Sequence, residues 1–249
     1  MTVRPTEYGS RGIVGIGVPQ ANPTVEQEMF ALRPAGVSLV TSRLTSSAPD
    51  LEQRLRDYIL NTRDFAGSFD DLSVDVFAIA CTGSSYLLGA EAEQKLLADC
   101  SGQLGYPVIS AAAAIHESLQ LIGARRIAIV SPYPAWLADL ARKYWSGMGY
   151  DVIDIRSVPL RGENVHAIYE LSSDDALVIA RELDPGALDA VLFTGTGMPT
   201  LGAIGPLADA TGLAVMSSNL CLLSAAARTL GLTEAPLLQI PRGLDTKTL

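Results

Sequence analysis

The sequence predicts an α/β protein of two pseudo-symmetric lobes, each a parallel sheet flanked by helices, with the active site in the cleft between them. Two observations predict it: short apolar runs alternate with helical patterns along the chain, and the whole pattern repeats. Alternating strands and helices imply parallel sheets whose faces the helices cover. Runs such as "GIVGIGV", "DVFAIA", "RIAIVS" and "DAVLFT" read as strands buried on both faces.

The repeat is the more informative signal. "VDVFAIACTGSSYLLGA" (Val74 to Ala90) returns as "LDAVLFTGTGMPTLGA" (Leu188 to Ala203), and "RGIVGIGVPQAN" (Arg11 to Asn22) returns as "RRIAIVSPYPAW" (Arg125 to Trp136), each 114 positions on. "GYPVISAAAAIHESLQLIG" (Gly105 to Gly123) is answered by "GLAVMSSNLCLLSAAARTLG" (Gly212 to Gly231). The expected division is one lobe of residues 1–108 plus 216–249, carrying Cys81, and a second of residues 109–215, carrying Tyr133 and Thr196.

In chain order, the Arg11 segment reads as a strand ending in a proline-bearing loop. "APDLEQRLRDYILNTRDF" reads as one helix with Asp50 as its N-cap and apolar residues spaced three and four apart. The Val74 segment is a strand, a small polar turn and a helix start. "SAAAA" opens a further helix, and "YPAWLADLARKYWSGMG" is a helix that stops at glycine. Ligands of parallel sheets bind beyond the C-terminal strand ends. Pro19 to Asn22, Cys81 to Ser84, Pro132 to Pro134 and Thr194 to Met198 are therefore expected around one cleft.

With 249 residues and 48% hydrophobic content the chain has ample material for a packed core. Its apolar runs fall far short of the roughly 20 residues that span a bilayer, and "MTVRPTEYGSRG" lacks the features of a secretory signal. The expectation is a cytoplasmic protein that binds no membrane. A net charge of −9 without a basic run gives no footprint for nucleic acid, so an anionic ligand needs local donors. Three cysteines without CxxC spacing and two histidines support neither a disulfide framework nor a metal site. The glycines of "GIVGIG" lack GxGxxG spacing, and "GTGMPTLG" has no phosphate-loop lysine, so no nucleotide cofactor is expected.

Cys81 stands at a strand end, before Thr82, Gly83 and Ser84 open a helix. Free N–H groups and a positive helix end there favour the thiolate and are expected to lower its pKa. Its bland alternative is a small buried hydrophobe. Cys100 and Cys221 lie on apolar helical segments and read as structural.

"GIGVPQANPTVEQEM", "ACTGSS", "IVSPY", "RGENV" and "GTGMPTL" occur in the order and spacing of the aspartate/glutamate racemase superfamily. More narrowly, the chain resembles the branch containing arylmalonate decarboxylase and maleate cis-trans isomerase. The resemblance implies a cofactor-free site between two α/β lobes and a small mono- or dicarboxylate substrate; homo-oligomers are common in the family. Racemases place one cysteine in each lobe. Here the first matches Cys81 and the second falls on Thr196, whose hydroxyl is too weak an acid or base for two-base racemisation.

What the resemblance implies first is an arylmalonate or malonate-type decarboxylase, with Cys81 protonating an enediolate. Thr82 and Tyr133 then match the hydroxyl donors of a dioxyanion hole, with Gly83 and Gly197 as backbone donors. The alternative is a maleate-type cis-trans isomerase with Cys81 as nucleophile, where Asn22 and Asn164 match carboxylate-binding asparagines. Pro19, Gln20 and Thr196 complete the expected substrate contacts. A third reading is an intracellular carboxylate-binding protein without turnover. Among the remaining residues, Glu26 and Glu28 read as first-turn carboxylates serving a helix dipole, Trp136, Phe193 and Tyr86 as wall or core, and His116 and His166 as unable to form a hydrolase triad.

Overall fold

The computed structural model describes residues 7–162 and 166–232. Strand β1 (Gly12–Pro19) is buried along its whole length, as its apolar run requires. It is followed by helix α1 (Thr24–Leu32), strand β2 (Val37–Leu44) and helices α2 (Leu51–Leu60) and α3 (Thr62–Gly67). Strand β3 (Val76–Ile79), helices α4 (Thr82–Leu88) and α5 (Ala90–Leu104) and strand β4 (Val108–Ser110) complete the first sheet, which is parallel throughout with order β2-β1-β3-β4.

Helix α6 (Ala111–Ile122) leads into the second half: β5 (Arg126–Ser131), α7 (Ala135–Gly147), β6 (Asp151–Ser157), α8 (Ser173–Ala180), β7 (Ala190–Phe193), α9 (Leu201–Thr211), β8 (Ala214–Ser217) and α10 (Ser218–Thr229). Its sheet repeats the first, parallel with order β6-β5-β7-β8. The chain thus forms two four-stranded parallel sheets flanked by helices, the architecture its repeat predicts.

Equivalent hydrogen bonds register the two halves. Asp75 accepts the Ile13 N–H at 2.7 Å and returns its own N–H to the Ile13 carbonyl at 2.8 Å. Asp189 makes the same exchange with Arg126, at 2.8 and 2.7 Å. Each carboxylate pins the start of a central strand to its neighbour, which is why an acidic residue opens both copies of the repeat. The Arg126 guanidinium beside Asp189 also holds that carboxyl well below the usual range. Ser110 and Ser217 accept the N–H groups of Ala113 and Leu220, capping α6 and α10 alike. These helices pack on each other, and α10 is buried from Ser218 to Ala227, so it forms shared core rather than an amphipathic surface.

Two local readings change. The segment read as one helix breaks at Asn61, which leaves helical geometry (φ −93°, ψ 18°) and whose side chain and backbone N–H both donate to the Asp57 carbonyl, at 3.0 and 3.1 Å, before α3 begins. Strands β2 and β6 carry no continuous apolar run. Both are sheet edges with partly exposed residues, so the buried-strand pattern does not find them.

In both sheets the order reverses between the two central strands, β1 with β3 and β5 with β7. Connections leave such a pair in opposite directions and open a crevice at the carboxyl ends. The four polar loops follow these four strands.

Candidate active site

The four loops meet around a cavity of about 550 Å³, lined from the first half by Pro19, Asn22 and Cys81 and from the second by Tyr133, Thr196 and Gly197, among others. Among the described residues Cys81 is the one thiol on this wall; Cys100 and Cys221 are buried elsewhere. Burial pushes the Cys221 thiol up to about 12, in keeping with a structural role.

Cys81 lies two residues beyond β3, in extended conformation, and is the N-cap residue of α4. Its sulfur makes no capping hydrogen bond to α4, though the nearby Gly83 and Ser84 N–H groups favour the thiolate. Burial nevertheless outweighs these donors and pushes the thiol up, so the expected lowering does not occur. The Ser84 hydroxyl is contested by two acceptors. It lies 2.7 Å from the Leu55 carbonyl and 3.2 Å from Cys81 Sγ, with one hydrogen to give. While Cys81 is protonated, Ser84 can serve Leu55; a thiolate draws that hydrogen to sulfur at the cost of the carbonyl bond.

Thr196, which the resemblance put at the second cysteine position, lies in the second turn and lines the cavity. Its hydroxyl donates to the Ala80 carbonyl at 2.7 Å and accepts from Asn22 Nδ2 at 3.3 Å. The donor is therefore spent on protein backbone. Asn22 also accepts the Thr24 and Val25 N–H groups at 2.8 and 3.3 Å, tying the loop to α1 while its amide lines the cavity. Thr24 Oγ1 donates to the Gly197 carbonyl at 2.8 Å. These bonds join the two halves and fix the distance between their turns.

The Thr82 hydroxyl lies 2.6 Å from the Tyr133 hydroxyl and accepts the Gly195 N–H at 3.3 Å. Thr82 and Gly83 are buried behind the wall and do not line the cavity, whereas Tyr133 does. Gly195 has φ +97°, and a Cβ there would come within 2.9 Å of Pro132, so the second turn needs glycine at that point. A Cβ at Gly197 would meet the Tyr169 ring at 2.7 Å; the missing side chain lets that ring close over the turn.

Of the other expected contacts, Pro19 lines the cavity, while Gln20 is exposed and accepts the Ser46 N–H at 2.7 Å. Asn164 lies outside the described residues. Glu26 pairs with Arg43 at 2.6 Å. Glu28 is not a dipole partner: it is buried, and it accepts hydrogen bonds from Thr200 and Leu201 at the start of α9 and from Asn219 of α10. Phe193 and Tyr86 are core, whereas Trp136 is 38% exposed. His116 bonds Tyr150 at 2.8 Å, far from any triad role.

Sequence reasoning missed Arg54, Tyr58 and Tyr169, and it left His166 without a place in the site; all four line the cavity. Arg54 and Tyr58 lie on the same face of α2 as Leu51 and Leu55. A cation on the apolar stripe of an amphipathic helix was the available signal. Tyr169 stacks on His166 with ring centroids 5.7 Å apart. Burial, followed by the neighbouring Cys81, pushes Tyr58 up to about 12. Tyr169 is also pushed up to about 12, by burial and then by Tyr58 and Cys81. These phenols are neutral donors over the whole working range of pH.

Among the described residues no group of three acidic, histidine or cysteine side chains could hold a metal ion, and no helix is long and apolar enough to cross a membrane.

The chain matches the family described as arylmalonate decarboxylase over residues 14–237. It is 28% identical over 221 residues to the maleate isomerase of Geobacillus stearothermophilus, covering 82% of this chain and 86% of that protein. Its fold is that of a Nocardia farcinica maleate cis-trans isomerase, solved as a cysteine-to-serine variant with a covalently bound succinylcysteine intermediate (TM-score 0.79, 24% identity, 89% and 93% of the two chains). It is also that of arylmalonate decarboxylase (TM-score 0.75, 20% identity, 88% and 92%).

Proposed function

Because the chain belongs to the arylmalonate decarboxylase family, we propose that it isomerises a small cis-enedioate such as maleate, with Cys81 as the nucleophile. The observation that carries this is the hydroxyl of Thr196, engaged at both ends by Ala80 and Asn22. Thr196 therefore supplies no second acid or base. Addition and elimination of one thiolate need none, since every proton on carbon stays where it was.

In this mechanism the Cys81 thiolate adds to one alkene carbon, and the π electrons move onto the other carbon and its carboxylate as an enediolate. The former double bond is now single and rotates. The electrons then return, the C–S bond breaks, and the trans diacid leaves with Cys81 restored as thiolate. Asn22 and Tyr133 line the same cavity and supply donors for a carboxylate on which charge develops.

Decarboxylation, which the motifs put first, has less support. The Thr82 hydroxyl expected in a dioxyanion hole is behind the wall and bonded to Tyr133. The curated relative and the covalent succinylcysteine of the Nocardia protein both lie on the isomerase side. Proton NMR of the protein with maleate and, separately, with phenylmalonate distinguishes the two: fumarate supports the isomerase, and loss of carbon dioxide from phenylmalonate without fumarate from maleate refutes it.

Two further outcomes follow from the geometry. Burial raises the Cys81 pKa above its ordinary 9.0, and the thiolate is the reactive form. The rate therefore rises with pH as the thiol ionises: kcat/KM should climb about tenfold per pH unit through neutrality without levelling below pH 9. A plateau near pH 7 would show a thiol ionised at neutrality. Tyr133→Phe should lower kcat/KM roughly 10- to 100-fold, the scale of a lost hydrogen bond to a charged group. Steady-state kinetics on maleate checks it.

A further inference from the structure

We infer that Arg54 determines specificity by binding a second carboxylate of the substrate, so that the site selects dianions over monoanions; this rests on the enedioate reading. Arg54 is the one lysine or arginine among the described residues that line the cavity. Its Nε donates to the Ala48 carbonyl at 2.7 Å, which fixes the plane of the guanidinium. Among the described residues no carboxylate pairs with it, and none bonds its two terminal nitrogens.

Every other ion pair among the described residues joins an arginine to an aspartate or glutamate at the surface or partly buried, including Arg43 with Glu26 on the neighbouring elements. A half-buried arginine left unmatched in a protein of net charge −9 is the exception. A fork with its Nε anchored and its terminal N–H groups free is the arrangement that receives a carboxylate bidentately. Arg54 lies close enough to Tyr58 and Tyr169 to oppose the rise in their pKa, and both phenols also sense Cys81. The guanidinium and the thiol line the same cavity.

A diacid attacked at Cys81 has one carboxylate on each alkene carbon. Asn22 and Tyr133 suit the one held against the interlobe turns, and Arg54 takes the other, arriving from α2. Loss of this contact should act on substrates with two charges and much less on those with one.

The test compares maleate with maleamate, its half-amide, in the wild type and in Arg54→Gln and Arg54→Lys. The wild type should favour maleate by about a hundredfold in kcat/KM, the scale of a charge-assisted hydrogen bond pair. Arg54→Gln should reduce that preference to within about threefold, with Arg54→Lys between, because it keeps the charge and loses the fork. An unchanged preference in Arg54→Gln overturns the inference. Because Arg54 also anchors the Ala48 carbonyl, thermal melting of each variant is measured alongside. Calorimetric binding of succinate and succinamate to Cys81→Ser, with and without Arg54→Gln, separates the two readings. If the wild type isomerises neither substrate, the isomerase reading fails. The succinate preference then decides on Arg54 alone: its loss with Arg54→Gln supports the inference, and its persistence overturns it.

Discussion

Replacing Cys81 by serine or alanine should lower kcat/KM for maleate by at least about 10³-fold and eliminate any covalent adduct. Serine keeps the shape of the side chain, but its hydroxyl ionises far too weakly to add to an alkene. Alanine removes the nucleophile and leaves Ser84 bonded to the Leu55 carbonyl at 2.7 Å, so the turn retains its main anchor. Stability should fall by about 1 kcal/mol or less for the serine variant, a conservative exchange at a mostly polar turn. Mass spectrometry of protein quenched with maleate should find the diacid on the peptide containing Cys81 and on neither Cys100 nor Cys221, which do not line the cavity. Turnover retained in either variant would exclude sulfur as the nucleophile. An adduct that forms without fumarate would instead place the defect in rotation or elimination.

The duplication was legible because it is written in the strands that every layer of the fold depends on. Central strands need unbroken apolar runs, and Asp75 and Asp189 are required at the same point in each half to pin β1 and β5. Cys81, Tyr133, Thr196 and Asn22 were legible for a related reason, since they sit on loops directly beyond those strands. The edge strands β2 and β6 were not, because half of each faces outward and no apolar run forms. Arg54 and Tyr58 left a signal in the chain only as polar residues on the apolar stripe of α2, and Tyr169 reaches the cavity from a single helical turn too short to carry a periodic pattern. The thiol pKa was misjudged by weighing the N–H groups of α4 without the burial that accompanies them. Both effects follow from the same position at the strand end, and their balance depends on how completely the second half covers the first.

Glu28→Ala should destabilise the protein by about 3–5 kcal/mol, since it strands several buried donors at once. Glu28 comes from α1, in the first half, and accepts the Thr200 and Leu201 N–H groups at the start of α9 and the Asn219 amide at 2.8 Å from α10. Thr200 is the N-cap residue of α9 and gives no side-chain cap, so Glu28 takes the first two N–H groups while the Ser173 hydroxyl accepts the Gly202 N–H at 3.3 Å. Asn219 in turn donates to the Thr196 carbonyl at 3.1 Å, so the tether runs from α1 through α10 to the turn opposite Cys81. At about 2–4 °C per kcal/mol for a chain of this size, the melting temperature should fall by roughly 10 °C. Burial pushes the Glu28 carboxyl up while these donors pull it back, a balance the glutamine variant probes. Its side-chain amide keeps one acceptor oxygen for the α9 N–H groups but turns an NH₂ toward the Asn219 amide. Asn219 can answer by flipping, because its own Oδ1 has no partner among the described residues, though the flip gives up the bond to Thr196. Glu28→Gln should therefore lose about half as much stability as Glu28→Ala and still lose activity, through a displaced Thr196 turn. Equal melting temperatures for wild type and Glu28→Ala would show that the two halves hold together without this tether.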